Sequence, residues 1–519
     1  MSSALPSRES KWPLAVFVVC LVYAIAAASI GWHNTVLDFI GFRQAQTALT
    51  AYFMVGRLPC LAYETPVVGP PWSIPFELPV YQWIVAVIVT FCHTPMDETG
   101  RAVGLVFFLL TLVPAYRIFT WLGFARGHRF LALSLFVVSP FYIFWSRTFL
   151  IESTALFFSM CYLASALPAV EHPCFRRLSA AILFGVLAAL VKITTCFVFS
   201  MMVLFYLFHH WRVQGKERYR PAQLGRTVLL SMLLLGIPFA AGWSWTRFAD
   251  EQKARNPIGR HLTTSAAVMQ RWNYGSFEQR ITPATWGAIL TPAHYALGHG
   301  LVFTLILLGL VIARQHRRTV LACLIVYPIA PLVFTNLYCY HEYYAFANNV
   351  FLLAALAVSL LAFLERGGRY RRIGLVSLAS FLALAVWRHQ EHYRPIQETN
   401  HEELSAVSRT IQQVTQPDDV LVILGCDWSS ELPYYSRRRS LSIPFWMEPN
   451  LENLPDYLRI EPPNYLGALV IHDWGEAFDR PAVEEIVRKA GFEVRYHRAD
   501  EHFEIYSVQR AVAVGPPTQ

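Results

Sequence analysis

The residues that could do chemistry lie on short connections between apolar segments. Arg147 and Glu152 share one such connection, and Lys192 stands alone between the apolar runs Leu187–Val191 and Ile193–Ser200. An ionised side chain in apolar surroundings is costly unless it has a charged partner or a function. These three residues are therefore candidates for anion binding, for proton transfer or for structural salt bridges.

Further acids, amides, cations and hydroxyls lie in two other connections. They are Asp38, Arg43, Gln44, Gln46, Glu77, His341 and Tyr344. A carboxylate can take the proton of an attacking hydroxyl, and fixed cations can stabilise charge on a leaving phosphate. Simpler explanations stay open for each place: a solvated helix start, a salt bridge across a turn, a lysine that reaches the membrane surface, and an interfacial aromatic belt.

The composition indicates which elements position these residues. The 519-residue chain is 55% hydrophobic and 15% charged, and its mean hydropathy is +0.37. Soluble domains carry about 25% charged residues, so the sequence indicates an integral membrane protein. Eleven apolar runs approach the length of about 20 residues that crosses a bilayer as a helix. They are residues 12–30, 101–118, 129–146, 149–168, 179–191, 193–209, 227–246, 294–313, 319–337, 344–364 and 373–388.

Basic clusters occur at every second connection between these runs. They are Arg117, Arg126 and Arg129; Arg176 and Arg177; Arg212, Lys216, Arg218, Arg220 and Arg226; Arg314, Arg317 and Arg318; and Arg366, Arg369, Arg371 and Arg372. Cytoplasmic connections of membrane proteins carry such an excess, which predicts a cytoplasmic N-terminus and an extracytoplasmic C-terminus. The net charge of +8 is then a topology signal, and no nucleic-acid partner is expected.

Two segments need separate treatment in this topology. Val80–Cys92 is apolar but short, and counting it as a span would place the first basic cluster on the wrong side. It is predicted to be a helix on the outer surface. Residues 179–209 are predicted to form two short passes that meet near Lys192 at the outer face.

The segments predicted to lie outside are long. They comprise loops at about 31–100 and 247–293 and a terminal unit after the last span, so the chain divides into a membrane module, 1–390, and an outer domain, 391–519. In the terminal unit, apolar spacing predicts helices at 404–414 and 482–490 and strands at 420–424, 468–471 and 492–496. This alternation indicates a small α/β domain.

Five segments resemble the signature segments of membrane glycosyltransferases with the C-type (GT-C) fold. They are Phe42–Ala48, Glu77–Gln82, Arg147–Glu152, Leu190–Lys192 and His341–Tyr344. The nearest branch comprises bacterial relatives of dolichyl-phosphate-mannose protein mannosyltransferases and lipid A aminoarabinose transferases. The resemblance covers roughly residues 10–390. It implies a mainly α, polytopic protein with about 11 transmembrane helices, a large first outer loop and a small C-terminal α/β domain outside the membrane.

The resemblance also implies an activity. Enzymes of this kind move a sugar, here a hexosyl or pentosyl group, from a polyprenyl-phosphate donor to a lipid, glycan or protein acceptor at the outer face of the inner membrane. The usual base is a carboxylate of the first outer loop. Related chains often have an acid where this chain has Gln46, and the paired acids of the mannosyltransferases are absent. The predicted bases are, in order, Glu77, Asp38 and Glu152, the last at the family's second-loop acid.

The remaining site residues are assigned to substrate binding. Arg43, Lys192 and His341 are predicted to hold the phosphate and Tyr344 to donate a hydrogen bond, and the group also includes Gln44, Gln46 and Arg147. Arg255, Arg260 and Arg271 of the second outer loop could add to the positive charge. The nine cysteines show no metal-ligand spacing, so no metal ligands are predicted, although some relatives use a divalent cation.

Two other classes of protein stay open. A secondary transporter would carry charges along a pathway, but such proteins tend to show repeated halves, and this sequence shows none. A non-catalytic lipid-binding or assembly protein would use its terminal domain to dock a partner. Deleting residues 396–519 would then abolish function, whereas charge substitutions in the outer turns would not.

Overall fold

Apolar helices form most of the chain. The computed structural model describes residues 11–215, 221–298, 300–447, 454–459, 465–472, 480–499 and 502–510. The first helices are α1 (Trp12–Ala28), α2 (Gly41–Tyr52), α3 (Val80–Cys92), α4 (Met96–Leu110), α5 (Leu112–Trp121), α6 (Arg126–Val137), α7 (Pro140–Ser146), α8 (Glu152–Glu171), α9 (Phe175–Gly215), α10 (Pro221–Ser231), α11 (Ile237–Lys253), α12 (Ala267–Tyr274) and α13 (Phe277–Ile281).

The later helices complete the bundle and enter the terminal unit. They are α14 (Pro283–Leu297), α15 (Leu301–Ile312), α16 (Arg317–Val326), α17 (Ile329–Val333), α18 (Thr335–Tyr340), α19 (Asn349–Glu365), α20 (Gly368–Arg388), α21 (Arg394–Glu398), α22 (Glu403–Val414), α23 (Glu431–Ser436), α24 (Leu454–Leu458) and α25 (Arg480–Lys489). Short π or 3₁₀ turns lie at Met232–Gly236, Gly259–Leu262, Glu342–Phe346, His389–Tyr393 and Phe445–Met447.

Six of the described helices are long and apolar enough to cross a membrane, or up to eight if each of two bent pairs counts as one span. One bent pair is α6 and α7, whose axes differ by 66°. Pro140 explains this bend, because a residue before proline avoids the helical region, and Ser139 accordingly has ψ 121°. The sequence therefore locates a membrane bundle correctly, and the number of eleven crossings stays a prediction.

Helix α9 reverses its direction at Lys192. This residue has φ −160° and ψ 97°, which interrupts the helix. The Cys196 thiol lies 3.8 Å from the carbonyl oxygen of Gly185, whereas a straight helix would separate residues eleven positions apart by about 16 Å. The Lys192 turn lies beside Glu152, at the start of α8, and Tyr206 contacts Glu171 at its end. Two antiparallel passes thus meet at Lys192, as the sequence predicts.

The basic clusters of separate connections come together at one end of the bundle, called here the basic end. Arg226 donates to the carbonyl of Glu171 at 3.3 Å, and Arg318 lies 3.2 Å from His209. Lys216, Arg218 and Arg220 lie outside the described residues. The segments predicted to lie outside and the terminal unit lie at the opposite end, called here the outer end after that prediction.

Helix α3 confirms the helical prediction for Val80–Cys92. Its 13 residues extend about 20 Å, less than the hydrocarbon thickness of about 30 Å. It packs beside α2 and α4 at the outer end. Its placement on the outer surface remains a prediction.

The terminal unit contains a five-stranded sheet in the order β2-β1-β3-β5-β4. Its strands are β1 (Asp419–Leu424), β2 (Arg439–Ser442), β3 (Tyr465–His472), β4 (Phe492–Ala499) and β5 (Phe503–Arg510). Strands β2, β1 and β3 are parallel to one another, and β5 is antiparallel to both β3 and β4. Strands β1, β3 and β4 and helices α22 and α25 confirm the predicted elements, while β2 and β5 were not predicted.

The terminal sheet shares a hydrophobic core with residues 31–100, the segment predicted to form the first outer loop and called here the first outer segment. Val67, Val68 and Tyr81 of that segment belong to the same buried cluster as Val422 and Leu469 of the sheet. Backbone hydrogen bonds reinforce this contact, since Gly69 donates to Ser440 at 3.0 Å and Ser442 donates to Val67 at 2.9 Å. The terminal unit is therefore docked against the outer end, while the proposed boundary at 390/391 stays a prediction.

Candidate active site

Two groups of charged side chains lie at the outer end of the bundle. The open cluster consists of Arg43, Glu77, Glu152, Lys192 and His341. The closed cluster consists of Asp38, Arg101 and Arg147. Side chains of the open cluster's two ion pairs are 5–23% exposed, whereas those of the closed cluster are at most 1% exposed. Only the open cluster can be reached by a ligand without rearrangement of the core.

Each residue of the open cluster lies at an interruption or an end of a helix. Arg43 is in the first turn of α2, Glu152 begins α8, and Lys192 occupies the reversal of α9. A carboxylate at a helix N-terminus is favoured by the helix dipole. Glu77 precedes α3, and its neighbour Leu78 donates a backbone hydrogen bond to Leu190 at 2.9 Å. This bond holds the Glu77 segment beside the α9 reversal.

The first ion pair of the open cluster joins Lys192 to Glu152. The Lys192 ammonium lies 2.6 Å from both carboxylate oxygens. It also lies 4.0 Å from the ring centre of Tyr344 and 5.3 Å from that of Tyr343. The interrupted helix and these aromatic faces fix the position of one cation, because charge and ring quadrupole attract each other.

The second ion pair joins Arg43 to Glu77 at 3.2 Å. Arg43 also donates to the side-chain oxygen of Gln46, and Gln82 donates to Glu77 at 2.9 Å. The Arg43 guanidinium lies 5.6 Å from the ring centre of Phe76. Glu77 therefore keeps its position through two donors, and Gln46 is a neutral partner of Arg43.

The two ion pairs act on each other electrostatically. Burial works against the charge of Arg43, but nearby negative groups, Glu77 first and also Glu152, raise its pKa. The pKa of His341 is lowered to about 4, first by burial and then by the charges of Arg43 and Lys192. Arg43 therefore stays charged, and the imidazole of His341 is neutral at neutral pH.

The closed cluster ties the first outer segment to the bundle. Asp38 accepts from Arg147 at 2.8 Å, from Arg101 at 3.5 Å and from Gln44 at 3.0 Å. Arg147 also donates to the carbonyl of Gly31 at 3.1 Å. Burial would raise the pKa of Asp38, but the two arginines outweigh it and lower the pKa. This carboxylate is charged at neutral pH and has its partners already in place.

The structure therefore divides the predicted site residues between two places. Glu77, Glu152, Arg43, Gln46, Lys192, His341 and Tyr344 converge on the open cluster. Asp38, Gln44 and Arg147 lie in or beside the closed cluster. Gln44 links this cluster to the turn before α8, because its oxygen accepts from the Phe149 amide at 2.9 Å. Asp38 remains a predicted base, but its burial and three donors disfavour proton transfer.

Sequence reasoning missed Lys253, which is buried beside the site. Its ammonium lies 2.8 Å from Asp250 and 5.5 Å from the ring centre of Phe76, on which Arg43 also packs. The arginines expected to supply charge from this segment, Arg255, Arg260 and Arg271, are exposed. The sequence does contain a signal for Lys253, because it is the first lysine after the apolar run 227–246, which is predicted to end outside.

The terminal unit reaches the edge of the open cluster through Trp428. This half-buried ring stacks on Phe76 with 6.0 Å between ring centres and meets Phe42 edge-on at 5.2 Å. Phe42 and Phe76 are sequence neighbours of Arg43 and Glu77. Trp428 thus contacts both segments that supply the second ion pair.

The described residues contain no group of three or more His, Cys, Asp or Glu side chains arranged to hold a metal ion. The carboxylates of the open cluster are each paired with a cation and belong to separate ion pairs.

Comparison with known proteins gives a match at the level of the fold. No family profile and no curated protein matches the sequence. ArnT from Cupriavidus metallidurans bound to undecaprenyl phosphate aligns over 98% of this chain and 100% of its own, with a TM-score of 0.55 and 13% identity. The apo form of ArnT aligns over 96% and 98%, with a TM-score of 0.51 and 13% identity.

An archaeal protein shows a comparable likeness. The oligosaccharyltransferase of Archaeoglobus fulgidus, tethered to an acceptor peptide with an NVT sequon, aligns over 98% of this chain and 75% of its own. Its TM-score is 0.54 and its identity 11%. These neighbours are glycosyltransferases with the GT-C fold. Because the identities are low, the likeness concerns the fold.

Proposed function

From the GT-C fold of this chain, we propose that the protein transfers a sugar from a polyprenyl-phosphate donor to an acceptor at the extracytoplasmic face of the inner membrane. The observation that carries this proposal is the open cluster, where two cations and two carboxylates meet at a partly exposed point of the outer end. The binding of undecaprenyl phosphate by the neighbour ArnT supports the class of donor.

Arg43 and Lys192 are the proposed phosphate ligands. Both cations are now held by carboxylates at 3.2 and 2.6 Å. A donor phosphate would compete with those carboxylates and release at least one of them. Fixed cations beside the leaving phosphate stabilise the charge that grows on it and contribute about 3–4 kcal/mol for each well-placed donor. His341 would add a hydrogen bond from its neutral ring, and Tyr344 one from its hydroxyl.

Glu77 is the proposed general base. It is more exposed than Glu152, with 11% of its side chain accessible against 5%. The acceptor hydroxyl oxygen would attack the anomeric carbon while its proton passes to Glu77. The bond from this carbon to the phosphate oxygen would break, and polyprenyl phosphate would leave with both bonding electrons. A single displacement of this kind inverts the anomeric centre.

Glu152 is proposed to hold Lys192 in place rather than to take the proton. Its two oxygens both contact the ammonium, so it orients the cation that meets the phosphate. Asp38 and Arg147 are proposed to be structural, because these two buried side chains contact each other and other groups of the protein. The sugar is proposed to be a hexose or a pentose, and the acceptor a lipid, glycan or protein.

The membrane arrangement belongs to the same proposal. Eleven crossings would place the N-terminus in the cytoplasm, α3 on the outer surface and the terminal unit from about residue 391 outside. The gathering of basic connections at one end and of both charged clusters at the other supports this orientation. The terminal unit would then lie where the acceptor arrives.

The experiment is a comparison of envelope extracts by mass spectrometry. Cells expressing the protein should contain a lipid, glycan or protein whose mass rises by one sugar residue, and polyprenyl phosphate should be released. Cells expressing Glu77→Gln at the same level should lack this product, while Glu391→Gln, an exposed acid of the outer end, serves as the matched control. A product that persists in both Glu77→Gln and Glu152→Gln would contradict the proposal. Substrate flux into liposomes without a covalent product would favour a transporter.

A further inference from the structure

A pocket lies inside the bundle at the basic end. It is a cavity of about 320 Å³ enclosed by α5, α6, α8, α9, α16 and α19. Its wall is formed by apolar side chains such as Phe136, Leu163, Leu167 and Phe351. Leu163 and Leu167 lie 11 and 15 residues after Glu152 on α8, which is about 16 and 22 Å along the helix axis. The cavity is therefore separate from the open cluster.

The polar residues of the cavity are concentrated at the basic end. They are Tyr206, His209, Gln315, Arg318 and Thr319. Their sequence positions, late in α9 and at the start of α16, place them at the mouth, while the deeper wall is apolar. The cavity thus has a polar mouth and an apolar body, which is the polarity of one lipid molecule.

The mouth carries a cation without an acidic partner. Arg318 is exposed and contacts the ring of His209 at 3.2 Å. Over the part of the chain that the structure describes, no carboxylate forms an ion pair with it. The nearby acid Glu171 is occupied by neutral donors instead, Tyr206 at 2.5 Å and Trp121 at 3.1 Å. The mouth therefore complements an anionic group.

We propose that this cavity binds an anionic phospholipid, with one acyl chain inside the bundle and the phosphate against Arg318 and His209. An apolar cavity favours hydrocarbon over water. Basic pockets between transmembrane helices suit anionic headgroups. Free phosphate lacks the acyl chain that the apolar body would hold, so the lipid is the ligand. This site is independent of sugar transfer.

The test measures lipid retained by the full-length protein in native mass spectrometry. Protein purified in mild detergent is offered equal amounts of phosphatidylglycerol and phosphatidylcholine. The wild type should retain one phosphatidylglycerol in preference, by about fivefold, the ratio expected from about 1 kcal/mol per arginine. Arg318→Gln should remove this preference. Arg372→Gln, which removes an exposed arginine at the same end but outside the cavity wall, should leave it unchanged.

A second variant tests the apolar body. Ala354 lines the cavity, and Ala354→Phe should fill it and lower retention of both lipids while Arg318 is intact. Glycerol phosphate added in excess should not release the bound lipid, because it has no acyl chain. Equal retention of the two lipids by the wild type, equal losses in Arg318→Gln and Arg372→Gln, or release by glycerol phosphate would each overturn the proposal.

Discussion

The closed cluster and the open cluster contain the same kinds of residue at the same end of the bundle, but their surroundings differ. In the closed cluster one carboxylate faces two arginines and an amide, and all three charged side chains are buried. In the open cluster two carboxylates face two cations, 5–23% of each of these side chains is exposed, and a neutral histidine lies beside them. The charges of the closed cluster are fully paired inside the protein, whereas a cation of the open cluster could exchange its carboxylate for a ligand.

This difference separates stability from chemistry. A buried ion pair contributes little net stability compared with apolar residues, but removing one member leaves an uncompensated charge. Breaking a pair that water can reach costs less free energy, so one of its members can bind a ligand instead. Residues of the closed cluster should therefore affect folding, and residues of the open cluster should affect transfer.

The largest effect should follow Asp38→Ala in the closed cluster. It would leave Arg101 and Arg147 buried without a counter-charge, a loss of about 3–5 kcal/mol. We expect little folded protein, measured as the monodisperse peak in size-exclusion chromatography and as the melting temperature of what remains. Folded, stable Asp38→Ala protein without activity would make Asp38 a catalytic residue and remove the distinction between the clusters.

Glu77→Gln should have the next largest effect, on transfer alone. It keeps the hydrogen bond from Gln82 or Arg43 but cannot accept a proton, so the rate should fall about 10²–10⁴-fold. The melting temperature should stay within a few degrees of the wild-type value. A rate near that of the wild type at saturating donor would show that another group takes the proton.

Lys192→Met should lower transfer by about 10²–10³-fold by removing one cation beside the leaving phosphate. Arg388→Met, which removes an arginine at the same end but outside both clusters, is the matched control for charge. Binding of undecaprenyl phosphate should weaken in the first variant and not in the second. Equal binding by both variants would place the donor phosphate elsewhere.

The smallest effect should be a change in the pH dependence of stability. Burial and then the two cations hold the pKa of His341 near 4 in the folded chain, below its ordinary value of about 6.5. Between these values the unfolded chain binds a proton that the folded chain does not, so stability falls as pH falls from about 6.5 towards 4. His341→Gln should lose less melting temperature than the wild type over this interval. Identical losses would mean that folding does not lower the pKa of His341.

Much of the open cluster could be predicted because its residues stand out against apolar neighbours. Lys192, Glu152 and His341 lie on short connections, and the topology placed them at one end. Asp38 and Arg147 looked the same by these criteria. Only tertiary contacts distinguish them from the open cluster. Arg101, the third member of the closed cluster, stands in the sequence at the start of an apolar run. A lone arginine at the outer end of such a run nevertheless indicates that a partner is needed.

The terminal unit shows the same limit. Strong apolar runs such as Val420–Leu424 predict their strands. Strand β2 begins in the basic stretch Arg437–Arg439, and only its tertiary pairing with β1 makes it a strand. The stacking of Trp428 on Phe76, 352 positions earlier in the chain, follows from no local pattern. Contacts across such distances depend on the docking of the whole unit.

The most direct test of the central claim is a structure of the protein with bound undecaprenyl phosphate, determined by cryo-electron microscopy in nanodiscs. We predict that the phosphate lies within hydrogen-bonding distance of Arg43 and Lys192, that at least one of their carboxylate contacts is broken, and that the closed cluster is unchanged. A phosphate bound away from the open cluster, with both of its ion pairs intact, would contradict the account.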